Sequence, residues 1–259
     1  ITEEGEALAA EIPLAQDITA EADSGGHTDH RAALCLLPSL LALRDEMQAR
    51  YPQFPPLRVG LAGGIATPHA VAAAFALGVL EPNASGLGGG GFMIVKMADM
   101  KDAVVIDFRE SAPAGARADM YPLGADGKAL NAANVVGGLA SGVPGEVAGL
   151  LYGLDKYGSK KLSRAQIIHP SIDWAKKGIP VTVNLAKIIT DELTKINKFP
   201  AAAAIYTQGG LPYELGDTIK NPDLAATLEL IAKKGKDGFY KGDLAKKIVS
   251  AVKDTGGIL

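Results

Sequence analysis

The sequence predicts a mixed α/β fold, and three observations support this. Strand-like and helix-like stretches alternate between residues 17 and 77, which is the βαβα pattern of a parallel sheet. Two short apolar strands then follow a run of glycines, with a polar turn between them, as in a β-hairpin. From residue 146 onward, apolar residues recur mostly at helical spacing.

The alternating segment contains four predicted elements. They are a strand at 17–22, a helix at 33–51, a strand at 57–62 and a helix at 68–77. The first helix ends before Pro52, and Gly63-Gly64 forms the turn before Pro68 opens the second helix. Proline and glycine are the residues that most often punctuate such elements.

The glycine run Gly88–Gly91 leads into the hairpin, whose strands are predicted at 92–97 and 103–108. A P-loop needs a Lys-Ser/Thr pair after its glycines, and a dinucleotide fingerprint needs a helix there. A strand follows here, so both phosphate-binding motifs are excluded. Composition alone favours a mobile surface loop, although glycine also permits close backbone approach.

The second hairpin strand is an almost unbroken apolar run that ends in charge. Val104, Val105 and Ile106 are β-branched, and such a run predicts a strand buried on both faces. The tetrapeptide Asp107-Phe108-Arg109-Glu110 then sets three charges at the strand end. We therefore expect a functional residue here, with Arg109 as the first candidate.

The remaining chain predicts helices separated by loops. They are expected at 146–157, 164–177, 184–197, 223–233 and 243–254. Ser163 is a plausible N-cap of the second of these helices, and Gly178 closes it. The lysines of the last two helices alternate with aspartates, which predicts a solvated face rather than an anion site.

Composition restricts the classes of function. The chain has 259 residues, enough for one large or two small domains. Its net charge is 26 − 29 = −3, so no broad basic face for nucleic acid is expected. Cys35 is the only cysteine and cannot form an internal disulfide. Four scattered histidines suggest no metal site, and no apolar run reaches the length of a membrane span.

Several motifs resemble the large-subunit region of the γ-glutamyltranspeptidases. They occur in the family's order from about Ala70 to Leu259: ALGVLEPNASGLGGGGFMIV, VIDFRESAPAGARADMY, ASGVPGEVAGLLYGLDKYGSKKLSRAQIIHPSIDWAKKGIPV, NPDLAATLELIAKKGKDGFYKGDLAKKIV and the closing TGGIL. The resemblance implies part of an αββα N-terminal-nucleophile hydrolase sandwich, needing no cofactor. It also implies an autoprocessed precursor, with a threonine nucleophile on a separate small subunit.

The resemblance assigns Arg109 to the α-carboxylate of a γ-glutamyl substrate, with Asp107 and Glu110 as further substrate-binding candidates. A planar, permanently charged guanidinium suits a carboxylate, whereas from the residues alone a structural Arg–carboxylate pair is preferred. No catalytic residue is expected within residues 1–259, so the chain by itself should be inactive.

Residues 14–78 resemble a fragment of a different family, the FMN-dependent nitronate monooxygenase and enoyl reductase type of TIM barrel. EADSGGHTDH and RVGLAGGIATPHAVAAAFALG carry the likeness. It implies that His27 corresponds to an active-site histidine and that Gly63 and Gly64 belong to a flavin phosphate loop. A barrel needs eight βα units and two are visible here, so flavin binding is not expected.

The chain is thus predicted to be a hybrid, with a barrel-like lead-in at 1–78 and a γ-glutamyltranspeptidase-like region at 79–259. The implied reaction transfers a γ-glutamyl group from glutathione-like donors to amino acids, peptides or water. A glutaryl-β-lactam acylase is a related alternative, and an FMN oxidoreductase fragment or a non-catalytic fusion product are alternatives from other classes. The start ITEEGEALAAEIPL lacks the basic residues of a secretory signal, and the compartment is left open.

Overall fold

The computed structural model describes residues 17–21, 33–50, 52, 58–62, 68–80, 82, 86–95, 97 and 100–259. His27, Gly63 and Gly64, the residues of the flavin alternative, lie outside the described residues. So does the side chain of Cys35, although its backbone lies in a helix.

The first four elements follow the predicted order. They are β1 (Asp17–Glu21), α1 (Ala33–Arg50), β2 (Arg58–Ala62) and α2 (Pro68–Leu80). Strands β1 and β2 pair in parallel, with Asp17 opposite Arg58 and Glu21 opposite Ala62. The βαβα pattern and its parallel pairing are therefore confirmed at the level of local structure.

Helix α2 continues past its predicted end at Leu77 to Leu80. A Cβ atom at Gly78 would lie 3.1 Å from the Cα of Gly86, so the missing side chain lets the helix approach the glycine segment. The division predicted between residues 78 and 79 falls inside this helix. Val71, Phe75 and Val79 of this helix lie in the main core, and the division into two parts stays a prediction.

Strands β3 (Phe92–Val95) and β4 (Val104–Asp107) form the predicted antiparallel hairpin. Its buried face carries Met93, Val95 and Ile106. Three apolar side chains, Phe92, Ile94 and Val105, are each more than half exposed. The prediction that β4 is buried on both faces is therefore wrong within this chain, because one face of the hairpin has no covering layer among the described residues.

The helical region contains more elements than the sequence predicted. It comprises α3 (Glu146–Tyr157), α4 (Arg164–Lys177), α5 (Val183–Asp191), α6 (Leu193–Ile196), α7 (Pro200–Tyr206), α8 (Pro222–Lys234), α9 (Lys236–Tyr240) and α10 (Gly242–Asp254), with a two-residue pair β5 (Ile179–Pro180) and β6 (Thr218–Ile219). Helices α3 and α4 have their predicted bounds. The helix predicted at 184–197 is divided at Glu192, which leaves helical geometry.

The N-terminus of α4 has the predicted cap in full. Ser163 Oγ accepts from the backbone N–H of Gln166, and the Gln166 side chain accepts from the backbone N–H of Ser163 at 2.9 Å. This reciprocal capping box satisfies two of the amides that a helix start leaves without partners. Helix α4 packs between α2 and α8, and its Ile167, Ile168 and Ile172 lie in the main core.

Residues 111–145 connect β4 to α3 without a strand of their own. Backbone hydrogen bonds between Ser111 and Val143, at 2.8 and 3.2 Å, close this connection at its base. Tyr121 donates to the carbonyl of Leu139 at 3.1 Å within it. The Ser111–Val143 bonds bring the residues that precede α3 close to the end of β4. Among the described residues, none of the helices combines the length and the hydropathy that a membrane crossing requires.

Candidate functional site

Arg109 lies two residues beyond β4, and its surroundings separate the roles of its acidic neighbours. Its backbone N–H donates to Asp107 Oδ1 at 3.0 Å, whereas its guanidinium Nη2 lies 3.3 Å from Glu110 Oε2. The Arg109 side chain is 57% exposed and that of Glu110 is 29% exposed. A partly solvated ion pair of this kind contributes little to stability. Because more than half of the Arg109 side chain is exposed, it is accessible to a further carboxylate.

Phe108 holds the main chain that leads to Arg109, and glycines surround it. Phe108 and Gly91 exchange backbone hydrogen bonds of 2.9 and 3.3 Å, which extends the hairpin beyond its strands. A Cβ atom at Gly90 would lie 2.3 Å from the Phe108 carbonyl oxygen, and one at Gly145 would lie 1.9 Å from it. At Gly149 a Cβ atom would lie 2.1 Å from the Phe108 ring. A larger residue at Gly90 or Gly145 would therefore require a shift of the backbone, and one at Gly149 would require the Phe108 side chain to move.

Gly89, Gly90 and Gly91 are therefore packed, and the prediction of a mobile surface loop is wrong for them. None of Gly88–Gly91 has a positive φ angle, so close approach rather than turn geometry explains these three glycines. Gly88 is exposed, and no atom lies within 4 Å of its would-be Cβ. The Gly89 carbonyl accepts from the N–H groups of Gly145 and Glu146, at 2.9 and 3.0 Å. These two bonds fasten the glycine run to the start of α3.

Glu146 reinforces the same junction from within the structure. Its side chain is buried, and Oε2 accepts from the backbone N–H of Gly86 at 3.3 Å. The sequence analysis did not single out this residue. A glutamate in the first turn of a helix is common because it complements the helix dipole, so local sequence does not distinguish it from an ordinary surface residue.

Arg109 lines two clefts at once. The smaller, of about 600 Å³, includes Glu110, Ser111 and Ser141, and the larger, of about 1030 Å³, includes Asp107 and Tyr240. Asp107 and Glu110, predicted to act beside Arg109, therefore line different clefts, while Arg109 lines both.

Tyr240 is a second residue that the sequence analysis missed. Its hydroxyl donates to the carbonyl of Pro144 at 2.9 Å and accepts from the backbone N–H of Ala148 at 3.2 Å. Burial raises the pKa of Tyr240, with a smaller opposing effect from the Ala148 N–H and a raising effect from Glu146. Because these partners are about ninety residues away in the chain, no local pattern signals this role.

Groups of three or more His, Cys, Asp or Glu side chains suited to a metal ion do not occur among the described residues. Among the lysines of this region, Lys241 forms an exposed ion pair with Asp237 at 3.1 Å. That contact agrees with the predicted solvated face.

Comparison with known proteins identifies relatives on both sequence and structure. The sequence profile of the family described as gamma-glutamyltranspeptidase matches residues 58–259. A glutathione hydrolase proenzyme from Bacillus subtilis strain 168 is 46% identical over 196 residues, covering 75% of this chain and 33% of that protein. An acylase ACY 1 proenzyme from Pseudomonas sp. strain V22 is 37% identical over 204 residues, covering 77% of this chain and 36% of its own length.

The crystal structure of the Helicobacter pylori gamma-glutamyltranspeptidase superposes with a TM-score of 0.69 at 38% identity, covering 74% of this chain and 54% of that one. The likeness supports a mixed α/β fold of the N-terminal-nucleophile hydrolase type. The chain spans about a third of the length of the curated relatives it matches.

The lead-in gains no comparable support. None of these relatives is a flavin-dependent barrel enzyme, and the profile match begins at Arg58, so β2 and α2 lie within it. The likeness of residues 14–78 to a barrel therefore stays unsupported, whereas the γ-glutamyltranspeptidase resemblance is confirmed over residues 58–259, more than three quarters of the whole chain. On these grounds the chain belongs to the γ-glutamyltranspeptidase family.

Proposed function

We propose that this chain supplies the carboxylate-binding side of an enzyme that transfers or hydrolyses γ-glutamyl groups of glutathione-like donors. The observation that carries the proposal is Arg109: a guanidinium more than half exposed, at the edge of two clefts, on a main chain that glycines hold in place. The name of the Bacillus subtilis relative, glutathione hydrolase, supports the choice of substrate.

The chemistry of Arg109 fits the α-carboxylate of such a donor. A guanidinium has a rigid fork of N–H donors that matches the two oxygens of a carboxylate. Glu110 engages one terminal nitrogen at 3.3 Å, so other N–H groups remain for a ligand. Glu110 would then face the substrate's α-ammonium from the smaller cleft, while Asp107 orients the backbone of Arg109.

The proposal assigns no nucleophile to residues 1–259. It calls instead for a threonine whose own α-amine acts as base, freed by autoprocessing and carried on a small subunit. The relatives described as proenzymes support a processed precursor. The proposed reaction breaks the γ-amide bond, forms a γ-glutamyl ester on the threonine and passes the acyl group to an amine or to water.

The exposed face of the hairpin supports the finer architecture, an αββα sandwich. Phe92, Ile94 and Val105 present apolar surface on a sheet whose other face is already packed. Stacked sheets bury such faces against each other at about 10 Å. We propose that a second sheet, contributed at least in part by the threonine-bearing subunit, covers this face.

A glutaryl-β-lactam acylase is the second candidate, and the acylase relative is the observation that favours it. A glutaryl group carries a carboxylate for Arg109 but no α-ammonium for Glu110. Hydrolysis of glutaryl and γ-glutamyl anilides by the same enzyme separates the two candidates, since a preference for the glutaryl compound would select the acylase.

The experiment replaces Arg109 by Lys in an enzyme that joins this sequence to a threonine-bearing subunit. Lysine keeps the charge but loses the fork, and the cost should be about 2–4 kcal/mol of transition-state binding, roughly a hundredfold in kcat/KM. Autoprocessing and melting temperature should not change, because the carboxylate belongs to the substrate.

Arg117→Lys is the matched control. Arg117 is exposed, pairs with Asp119 at 3.5 Å and lines neither of the two clefts, so its replacement should leave kcat/KM unchanged. A structural role for Arg109 would give the opposite result, with reduced stability or subunit yield and normal kinetics. That outcome would reject the assignment of Arg109 to the substrate.

A further inference from the structure

Helix α3 begins without a side-chain cap of its own, because its N-cap residue is Gly145. The first amides of a helix need acceptors from elsewhere. The Tyr240 hydroxyl supplies one, since it accepts from Ala148 N–H at 3.2 Å. The same oxygen donates to the Pro144 carbonyl at 2.9 Å. One atom from α9 therefore ties the chain together on both sides of Gly145.

Gly145 is also the point at which α3 meets the end of β4. A Cβ atom there would lie 1.9 Å from the Phe108 carbonyl oxygen and 3.1 Å from the Arg109 carbonyl oxygen. Gly149, one turn further along α3, lies against the Phe108 ring. The position of the first turn of α3 therefore determines where the main chain of residues 108 and 109 lies.

Tyr240 is itself held by the core. The adjacent Phe239 is buried, and the two rings meet edge-to-face with centroids 4.9 Å apart. Helix α9 packs against α8, which contributes Leu228 and Ile231 to the core. A tyrosine hydroxyl is protonated at neutral pH, and burial raises the pKa of Tyr240 further, so the hydroxyl is available to donate to Pro144.

We propose that Tyr240 is a positioning residue for Arg109: its hydroxyl fixes the start of α3, and α3 fixes the main chain that presents the guanidinium to the substrate. The inference rests on the proposed function, because it concerns how Arg109 meets a substrate carboxylate. It adds a residue from the far end of the chain to a site that otherwise consists of a strand end and a glycine run.

A double-mutant cycle tests this inference in the enzyme joined to its threonine-bearing subunit. Tyr240→Phe keeps the ring and removes the hydroxyl, and it should raise KM for a chromogenic γ-glutamyl anilide roughly tenfold, with kcat changed less than about threefold. In an Arg109→Ala background the same substitution should change KM less than about twofold, because the group it positions is gone.

Tyr157→Phe is the control. Tyr157 is the last residue of α3, lies beside the exposed Lys156, whose Nζ is 5.4 Å from its ring centroid, and lines neither cleft, so the same chemical change is made without touching the start of the helix. It should leave KM unchanged in both backgrounds.

Three results would overturn the inference. They are an equal loss from Tyr240→Phe in both backgrounds, a lowered melting temperature with normal KM, and failure of Tyr240→Phe to accumulate as folded enzyme, since each indicates a purely structural role. The proposed function has its own readout in the cycle. If Arg109→Ala alone leaves KM unchanged, the proposed function fails together with the inference; if Arg109→Ala is severe and the effects simply add, the inference alone fails.

Discussion

The two small sheets at the N-terminal end of the described chain are similar in size but differ in how their strands are connected and in what they contact. Strands β1 and β2 pair in parallel across the long α1 connection. Strands β3 and β4 pair across a short turn, and their ladder extends through Gly91 and Phe108 into contact with α3. Arg109 follows the second sheet. A strand end becomes a precise site when a third element holds it.

The largest expected effect is a complete absence of catalysis by the chain alone, although the end of the hairpin is proposed to bind the substrate carboxylate. Residues 1–259 alone should release no product from a chromogenic γ-glutamyl anilide, because Arg109 can hold a carboxylate but the proposed nucleophile is a threonine elsewhere. The measurement is absorbance of the released anilide over hours at high protein concentration. Turnover by the pure chain, with catalysis lost in Arg109→Lys, would show that the hairpin site works alone.

Strands β1 and β2 should not bind FMN, although residues 14–78 resemble a fragment of an FMN-dependent barrel enzyme. Two βα units do not enclose an isoalloxazine ring and its phosphate, because a barrel site needs eight such units. Chain incubated with excess FMN should therefore lose the flavin on gel filtration. A stoichiometric flavin absorbance in the protein peak would restore the barrel-like interpretation of residues 1–78 and would mean that each sheet belongs to a binding site.

Glycine replacements measure how tightly the hairpin end is held. Gly145→Ala places a methyl group against the Phe108 carbonyl and should lower the free energy of unfolding by about 3 kcal/mol, as overpacking does. Gly88→Ala is the control, since no atom lies within 4 Å of its would-be Cβ, and it should change stability by less than about 0.5 kcal/mol. Chemical denaturation of both variants gives the comparison. Equal effects would mean that the packing of Phe108 does not limit stability.

The smallest effect concerns local opening of the two sheets. Amides of residues 17–22 should exchange with deuterium roughly tenfold or more faster than those of 104–108, since β4 is backed by α3 and joined to the glycine run. Among the described residues, β1 pairs with β2 alone. Mass-spectrometric exchange of the peptides provides the rates. Equal protection would indicate that the parallel pair is as firmly integrated as the hairpin.

Local sequence signals explain what was predictable. The bounds of α3 and α4 follow from caps and glycines adjacent to them, and the Ser163–Gln166 capping box is complete within four residues. Likewise β1, β2 and the hairpin follow from runs of apolar residues with the right spacing. Arg109 was predicted because a charged tetrapeptide ends a strand; its side chain is exposed, and its role stays a proposal.

Long-range contacts explain the rest. The composition of the glycine run indicates a mobile loop, because the contacts with Phe108 and Gly145 come from other parts of the chain. Tyr240 meets Ala148 across 92 residues, and Glu146 meets Gly86 across 60, so neither role leaves a periodic pattern. The burial of β4 was mispredicted for a related reason. Whether a strand face is covered depends on what packs against it, and the sequence of the strand does not specify that.

The uncovered hairpin face also has a practical consequence for handling the protein. Phe92, Ile94 and Val105 form apolar surface beside strands that have open edges among the described residues. Exposed strand edges and apolar patches promote aggregation. Chain produced without the proposed threonine-bearing subunit should therefore self-associate as its concentration rises, and co-expression of the two should improve the yield of soluble material more than any change of buffer.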